Sequence, residues 1–409
     1  MNRNTRAWTI VLAGTGVNLS FGVLYAWSIF AAELRETYHW SGTQASLPYT
    51  MAVGMFAVMM IFGGRLQDKY GPRLTVSLAG ILVGGGMILA SLFPTVPGLV
   101  LCFGVLAGSG IGLGYSATTP VAVKWFHPSR KGLISGLVVG GFGAATLYVA
   151  PLTNHLIESH GVFSALRTLG AVFLLAVTGL AQTLRNPPGS ASGTAVHGER
   201  DKTWREMIRT PQFPRLWVMF LAGSLAGLMI IGHLSTIARV QTGRNFGFML
   251  VALMAITNAL GRPAAGMVSD RLGRARTMVI LYIAQGVVLL LFSTFSGFAS
   301  ILFGAMVVTF AYGAALSVYP SAVGDFYGTG NLGLNYGVLF TAWGVGGQVG
   351  PIMAGRILDS TGGYTAAYRT AAVLCFAAAV VGATLKPPKL RDRAGVSRSG
   401  PASPGEERP

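Results

Sequence analysis

The sequence predicts an all-α integral membrane protein with twelve transmembrane helices in two pseudo-symmetric six-helix halves. Three observations lead there. Of 409 residues, 52% are hydrophobic and only 11% charged, where a soluble domain carries about 25% charged residues. Apolar runs of about twenty residues, the length that crosses a bilayer core, recur twelve times. A glycine- and charge-bearing loop after the second run returns after the eighth.

The first six runs occupy 8–32, 44–64, 74–93, 97–123, 132–156 and 163–184. The first is too long for the apolar core of a secretory signal, so it is read as a retained helix. The second six occupy 212–238, 246–268, 277–296, 299–322, 333–358 and 366–385. Backbone polar groups in hydrocarbon need partners within their own segment, which makes each run a helix. An N-terminal half (1–184), a cytoplasmic linker (185–211), a C-terminal half (212–386) and a tail (387–409) follow. The linker begins rich in Gly, Ser and Pro, with a short surface helix expected over 203–208; the polar tail is expected to be disordered.

An even number of spans puts both termini on one side, and charge picks the side. Arg3, Arg6, Arg65, Lys69, Arg73, Lys124, Arg130, Lys131, Arg271, Arg274 and Arg276 share it with the linker and tail. The other side has only Arg35, Arg167, Arg239, Arg244, Arg356 and Arg369. Lys and Arg collect on the cytoplasmic side, so a multi-pass cell (inner) membrane protein with both termini cytoplasmic is expected. The same distribution accounts for a net charge of +17 without invoking nucleic acid. Cys102 and Cys375 fall inside apolar runs, so neither a disulfide framework nor a metal site is expected. No cofactor or enzyme motif is present. The chain is expected to work as a monomer in the lipid bilayer.

The repeat is specific. Gly64-Arg-Leu-Gln-Asp68-Lys69-Tyr-Gly71-Pro-Arg73 is echoed by Gly266-Met-Val-Ser-Asp270-Arg271-Leu-Gly273-Arg274, and Pro120-Val-Ala122-Val123 by Pro320-Ser-Ala322-Val323. Duplicated halves of this kind place a solute site between them near mid-membrane. Asp68 and Asp270, with Lys69, Arg73 and Arg271, are candidate gating residues. Each carboxylate can accept hydrogen bonds from a neighbouring helix end or arginine and so latch one conformation. The plainer alternative is a basic loop that only sets topology.

Arg262 stands alone in the eighth run, and no Asp or Glu lies in any of the predicted spans. A cation in hydrocarbon costs roughly 3 kcal/mol on insertion scales and normally faces an interior pathway. Its missing partner is therefore read as an anion that comes and goes, held through the two parallel hydrogen bonds a guanidinium offers a carboxylate. The alternative is an arginine snorkelling to the interface. Asn258 lies one turn earlier on the same face. Tyr115 and Tyr319 precede Pro120 and Pro320, and Leu24, Tyr25 and Tyr312 are further lining candidates, with packing as the competing reading for each. His233 is the histidine well inside a span. It is a proton-coupling candidate or an interhelical hydrogen bond.

The paired Gly-x-x-x-Asp-Arg/Lys-x-Gly loops resemble the signature of the major facilitator superfamily over nearly the whole chain. Asn18-Leu-Ser-Phe-Gly-Val-Leu-Tyr25-Ala-Trp27-Ser28 resembles the first helix of oxalate/formate antiporter-type carriers. Trp125-Phe126-His127-Pro-Ser-Arg130-Lys131-Gly132 is similar to a loop shared with monocarboxylate porters. Asn258-x-x-x-Arg262 falls where those porters have Asp-x-x-x-Arg, which implies an essential arginine here and removes a proton relay through position 258. Trp343 stands where oxalate/formate-type carriers have lysine. One cation and an indole, rather than two cations, suit a monocarboxylate; a packing tryptophan is the alternative. The resemblance implies a secondary carrier of L-lactate and pyruvate, by proton symport and alternating access, with an oxalate/formate-type exchanger as the competing reading.

Overall fold

The computed structural model describes residues 2–188, 201–243 and 247–386, without the side chains at 247–249, 251 and 252. The tail 387–409 and linker residues 189–200 lie outside the described residues. The described chain forms twelve long helical rods and no strand. They are α1 (Arg3–Thr37), α2 (Gly42–Tyr70), α3 (Pro72–Leu92), α4 (Val96–Val123), α5 (Pro128–His160) and α6 (Val162–Ala181), then α7 (Gln212–Thr242), α8 (Gly247–Leu272), α9 (Arg274–Thr294), α10 (Phe298–Tyr327), α11 (Leu332–Thr361) and α12 (Thr365–Ala383). Ten are long and apolar enough to cross a membrane; α8 and α11 complete the set at 26 and 30 residues. Leu12, Phe62, Leu175 and Val373 are more than half exposed on the outside of the bundle, as a lipid-facing surface requires.

Local chemistry sets the ends and breaks. Ser41 and Gln44 form a reciprocal capping box at the start of α2, which satisfies two orphan helix donors. Gly71 and Gly273, at φ 87° and 88°, turn the chain after α2 and α8 in a conformation that favours glycine. Rod α1 tightens to a 3₁₀ stretch over Gly22–Ala26, and α5 breaks at Ala145. The two irregularities touch: a Cβ on Gly22 would overlap the Ala145 side chain. Before α7 the short helix Trp204–Ile208 is capped by Thr203 and buries Met207.

Rods α1–α6 pack chiefly on one another, as do α7–α12, and the pairs α2–α11 and α5–α8 join the two groups. Glycine makes both seams close. A Cβ on Gly64 would overlap the Gly333 backbone, and one on Gly132 the Gly266 carbonyl. Small residues of this kind let membrane helices approach backbone to backbone. Both seams run to the face that carries the termini, where Trp8 meets Phe126 and Gln212 reaches the Lys386 carbonyl.

Candidate substrate site

Toward the opposite face the two groups part around a cavity of about 470 Å³. One wall is Leu24, Tyr25, Trp27, Ser28 and Ala31 of α1 with Ser46 and Tyr49 of α2; Gly143 and Thr146 of α5 adjoin it. The other wall is Ile231, Gly232, Leu234 and Ser235 of α7 with Met254, Ala255 and Asn258 of α8. The 3₁₀ stretch of α1 and the break in α5 present Tyr25 and Thr146 to this space. The lining offers hydroxyls, one amide and apolar surface, and no charge.

Arg262 lies directly behind that lining and is 0% exposed. Its Nε and Nη2 donate to Asn258 Oδ1 at 3.3 and 3.1 Å, and Nη1 donates to the Val139 carbonyl of α5 at 2.5 Å. Its Cζ sits 5.9 Å from the centroid of the Phe142 ring, a cation–π contact. Gly143 makes the room: a Cβ there would stand 3.2 Å from Cζ. A guanidinium has five N–H donors and three are engaged. Among the described residues no carboxylate lies within ion-pair distance, because the ion pairs all sit at the terminal face. A buried, uncompensated cation is costly.

Below the cavity, Phe56, Tyr115, Phe142, Phe340 and Trp343 form an aromatic floor from both groups of rods. Phe340 stacks on Trp343 at 4.8 Å, Phe56 meets Trp343 at 5.1 Å, and Tyr115 meets Phe142 at 5.7 Å. Trp343 Nε1 donates to Tyr312 Oη at 2.9 Å. Tyr115, Tyr312 and Trp343 therefore stand at the floor, whereas Leu24, Tyr25 and Asn258 line the cavity itself. The sequence reading missed Phe56, Phe142, Phe340 and the Val139 carbonyl. The glycine stripe Gly136, Gly140, Gly143 was the signal that this face of α5 abuts α8.

Two expected site residues lie elsewhere. Tyr319 stacks on Phe220 at 4.2 Å and shares a 2.6 Å hydrogen bond with Tyr282, within the second group of rods. His233 does not line the cavity. Its Nδ1 pairs with Tyr364 Oη at 2.9 Å and its Nε2 with the Pro351 carbonyl at 3.0 Å. A carbonyl only accepts, so Nε2 carries a hydrogen, and the ring ties α7 to α11 and the turn before α12.

At the terminal face, Asp270 accepts from the Gly132 and Leu133 N–H groups at 2.8 and 2.9 Å, at the start of the main helical segment of α5. Asp68 accepts from Gly333 and Leu334 at 3.3 and 2.9 Å, at the start of α11. Carboxylates are favoured at helix N-termini, where donors are free and the dipole is positive. Arg274, not Arg271, pairs with Asp270 at 2.7 Å; it also reaches Asp325 at 2.8 Å, which holds Lys131 at 3.0 Å. Arg271 is exposed, Lys69 lies over the Tyr70 ring, and Arg73 bonds Gln182, the residue that caps α6. These three point away from the seams. Ser135 Oγ donates to the Ser317 carbonyl at 3.1 Å deeper in the same closure.

Comparison with known proteins agrees with this architecture. A family model described as Major Facilitator Superfamily matches residues 10–261 and 242–406. An uncharacterized MFS-type transporter of Escherichia coli, YhjX, is 31% identical over 84% of this chain and 87% of its own. The oxalate:formate antiporter of Oxalobacter formigenes is 29% identical over 90% and 88%. Monocarboxylate transporter 13 of Rattus norvegicus is 27% identical over 92% and 88%. Among solved structures, the proton:xylose symporter XylE superposes with a TM-score of 0.72 at 14% identity over 93% and 95% of the two chains, which speaks for the fold alone. These relatives are transporters rather than enzymes. With twelve rods, two glycine seams and a family model that matches nearly its whole length, the chain belongs to the Major Facilitator Superfamily.

Proposed function

We propose that this protein carries small monocarboxylate anions, L-lactate and pyruvate among them, across a cell (inner) membrane by alternating access. The halves 1–184 and 212–386 rock around Arg262, both termini lying in the cytoplasm as the basic loops indicate. One observation carries the reading: a buried guanidinium with two N–H donors to spare, and no acid partner among the described residues, lies behind an uncharged cavity. A single cation balances a single carboxylate. Trp343 in place of a second cation leaves a dicarboxylate half uncompensated. In the symport the proton travels with the solute or through water rather than on His233, whose ring nitrogens are both engaged away from the cavity.

The test is uptake of labelled lactate, pyruvate, formate and oxalate into proteoliposomes, with and without an inward proton gradient. Gradient-driven lactate and pyruvate uptake is expected. Arg262→Ala abolishes it, and Arg262→Lys impairs it because the bidentate geometry is lost. Undiminished lactate transport by Arg262→Ala overturns the reading. The 29% identity to an oxalate:formate antiporter favours a second reading, anion exchange. Oxalate counterflow indifferent to the pH gradient would select it.

A further inference from the structure

The two seams differ in what they leave unbonded. At the α5–α8 closure the buried hydroxyls are all engaged: Ser135 with the Ser317 carbonyl, Ser317 with the Arg262 carbonyl, and Ser269 with the Gly266 carbonyl and Arg274. On the other side α2, α4 and α11 meet. There Gln67 Nε2 and Oε1, Thr119 Oγ1 and Asn335 Oδ1 are buried and have no protein partner among the described residues. Tyr115 and Tyr336 are buried as well. Their hydroxyls are neighbours across the seam and bond no other group.

These atoms form a stripe from the aromatic floor to the terminal face. In the floor Phe56 meets Phe340 at 5.3 Å. One turn on, a Cβ on Gly337 would overlap the Met60 carbonyl; a turn later one on Gly333 would stand 2.9 Å from the Gly64 carbonyl oxygen, and Asp68 ends the seam. Tyr336 and Asn335 fall between Gly337 and Gly333, and Gln67 between Gly64 and Asp68. Rod α4 runs alongside α2: a Cβ on Gly63 would stand 2.5 Å from Ser116 Oγ, which sets Thr119, one turn further, level with Gln67. A buried donor or acceptor without a partner costs free energy only in the state that buries it, and such groups are scarce enough to need a reason. Packing is not the reason, because valine or methionine would fill the same space without that cost.

We propose that Gln67 and Thr119, with Asn335, Tyr336 and Tyr115 above them, line the passage by which solute reaches the terminal face. Their polar atoms are left bare while that face is shut and are bonded by water and solute when it opens. The passage lies on the α2–α4–α11 side, and the α5–α8 seam, with its ion pairs, is the clamp. Amide and hydroxyl groups hold a small polar anion weakly enough to let it go. The proposal rests on alternating access but not on which solute is carried.

The test reads opening directly. Ser135→Cys places a thiol within the closed α5–α8 seam, and Cys102 and Cys375 are buried. The rate at which a membrane-impermeant maleimide labels it from the terminal face reports opening, in full-length protein and without solute. Gln67→Met and Thr119→Val keep side-chain size and remove the bare polar atoms. Each is expected to slow labelling about fivefold or more, with Tm in detergent equal to or above the parent. Ser269→Ala, which removes a bonded hydroxyl from the clamp, should instead speed labelling. Thr119→Cys should itself be labelled from the terminal face, in step with Ser135→Cys. Faster labelling and a lower Tm in Gln67→Met and Thr119→Val would show that these groups bond a resident water in the closed face, and would overturn the proposal. Unchanged labelling in both variants overturns it too, as does a Thr119→Cys that stays inert while Ser135→Cys reacts. If neither cysteine ever reacts, alternating access itself fails, and the proposal with it.

Discussion

Gly266→Ala tests the architecture without reference to any solute. The added Cβ would overlap the Gly132 carbonyl oxygen and lie 2.6 Å from the Gly132 carbonyl carbon and 3.2 Å from the Leu133 nitrogen. All three are backbone atoms, so no rotamer change relieves the contact. The α5–α8 seam must part there, and Asp270 loses its grip on the N–H groups at 2.8 and 2.9 Å. Overpacking costs about 1–3 kcal/mol, and the cost falls only on the conformation with this face shut. A differential of that size moves the equilibrium roughly 5- to 150-fold toward opening. The Ser135→Cys labelling assay should show the rise, with slower uptake of whatever solute the protein carries. Gly85→Ala is the control, since nothing lies within 4 Å of its Cβ position. A folded Gly266→Ala variant that labels at the parent rate would refute the claim that this seam is the closed gate.

Other expectations follow from single contacts. Trp343→Lys puts a second cation beside Tyr312 and should confer oxalate counterflow while depressing lactate uptake. His233→Ala leaves the Pro351 carbonyl and Tyr364 hydroxyl without their partner; it should lower stability by about 1–3 kcal/mol, read as a reduced Tm in detergent, with proton-driven accumulation retained. Tyr319→Phe removes only the hydroxyl bonded to Tyr282. Its KM for lactate should match the parent, and a raised KM would place Tyr319 back at the site. Gly143→Ala crowds the Arg262 guanidinium at 3.2 Å and should raise KM more than it lowers expression.

Much of the fold was legible because hydrocarbon imposes long apolar helices and the duplicated loops announce matched halves. Arg262 and Asn258 were legible for a related reason: polar groups in an apolar run stand out, and i,i+4 spacing puts them on one face. The floor was harder. Phe56, Phe142 and Phe340 look like any apolar residue in a span, and only the pairing of α2 with α11 and α5 with α8 selects them. The choice of Arg274 over Arg271 at Asp270 is a matter of turn geometry at Gly273, which directs one arginine inward and leaves the other exposed. Tyr319 misled because it precedes Pro320 as Tyr115 precedes Pro120, but by one residue rather than five, and one turn further along its neighbours are Phe220 and Tyr282.

The uncompensated charge on Arg262 also has an electrical consequence. Unloaded, the carrier holds one fixed positive charge behind the cavity; an anion that enters without a proton neutralises it, whereas an anion accompanied by a proton leaves the net charge unchanged. A membrane potential exerts about 2.3 kcal/mol per elementary charge per 100 mV, scaled by the fraction of the field the charge crosses. Under the exchange reading voltage therefore acts on the empty protein and hardly on the occupied one; under the symport reading it acts on both alike, and currents on withdrawal of solute tell the two apart.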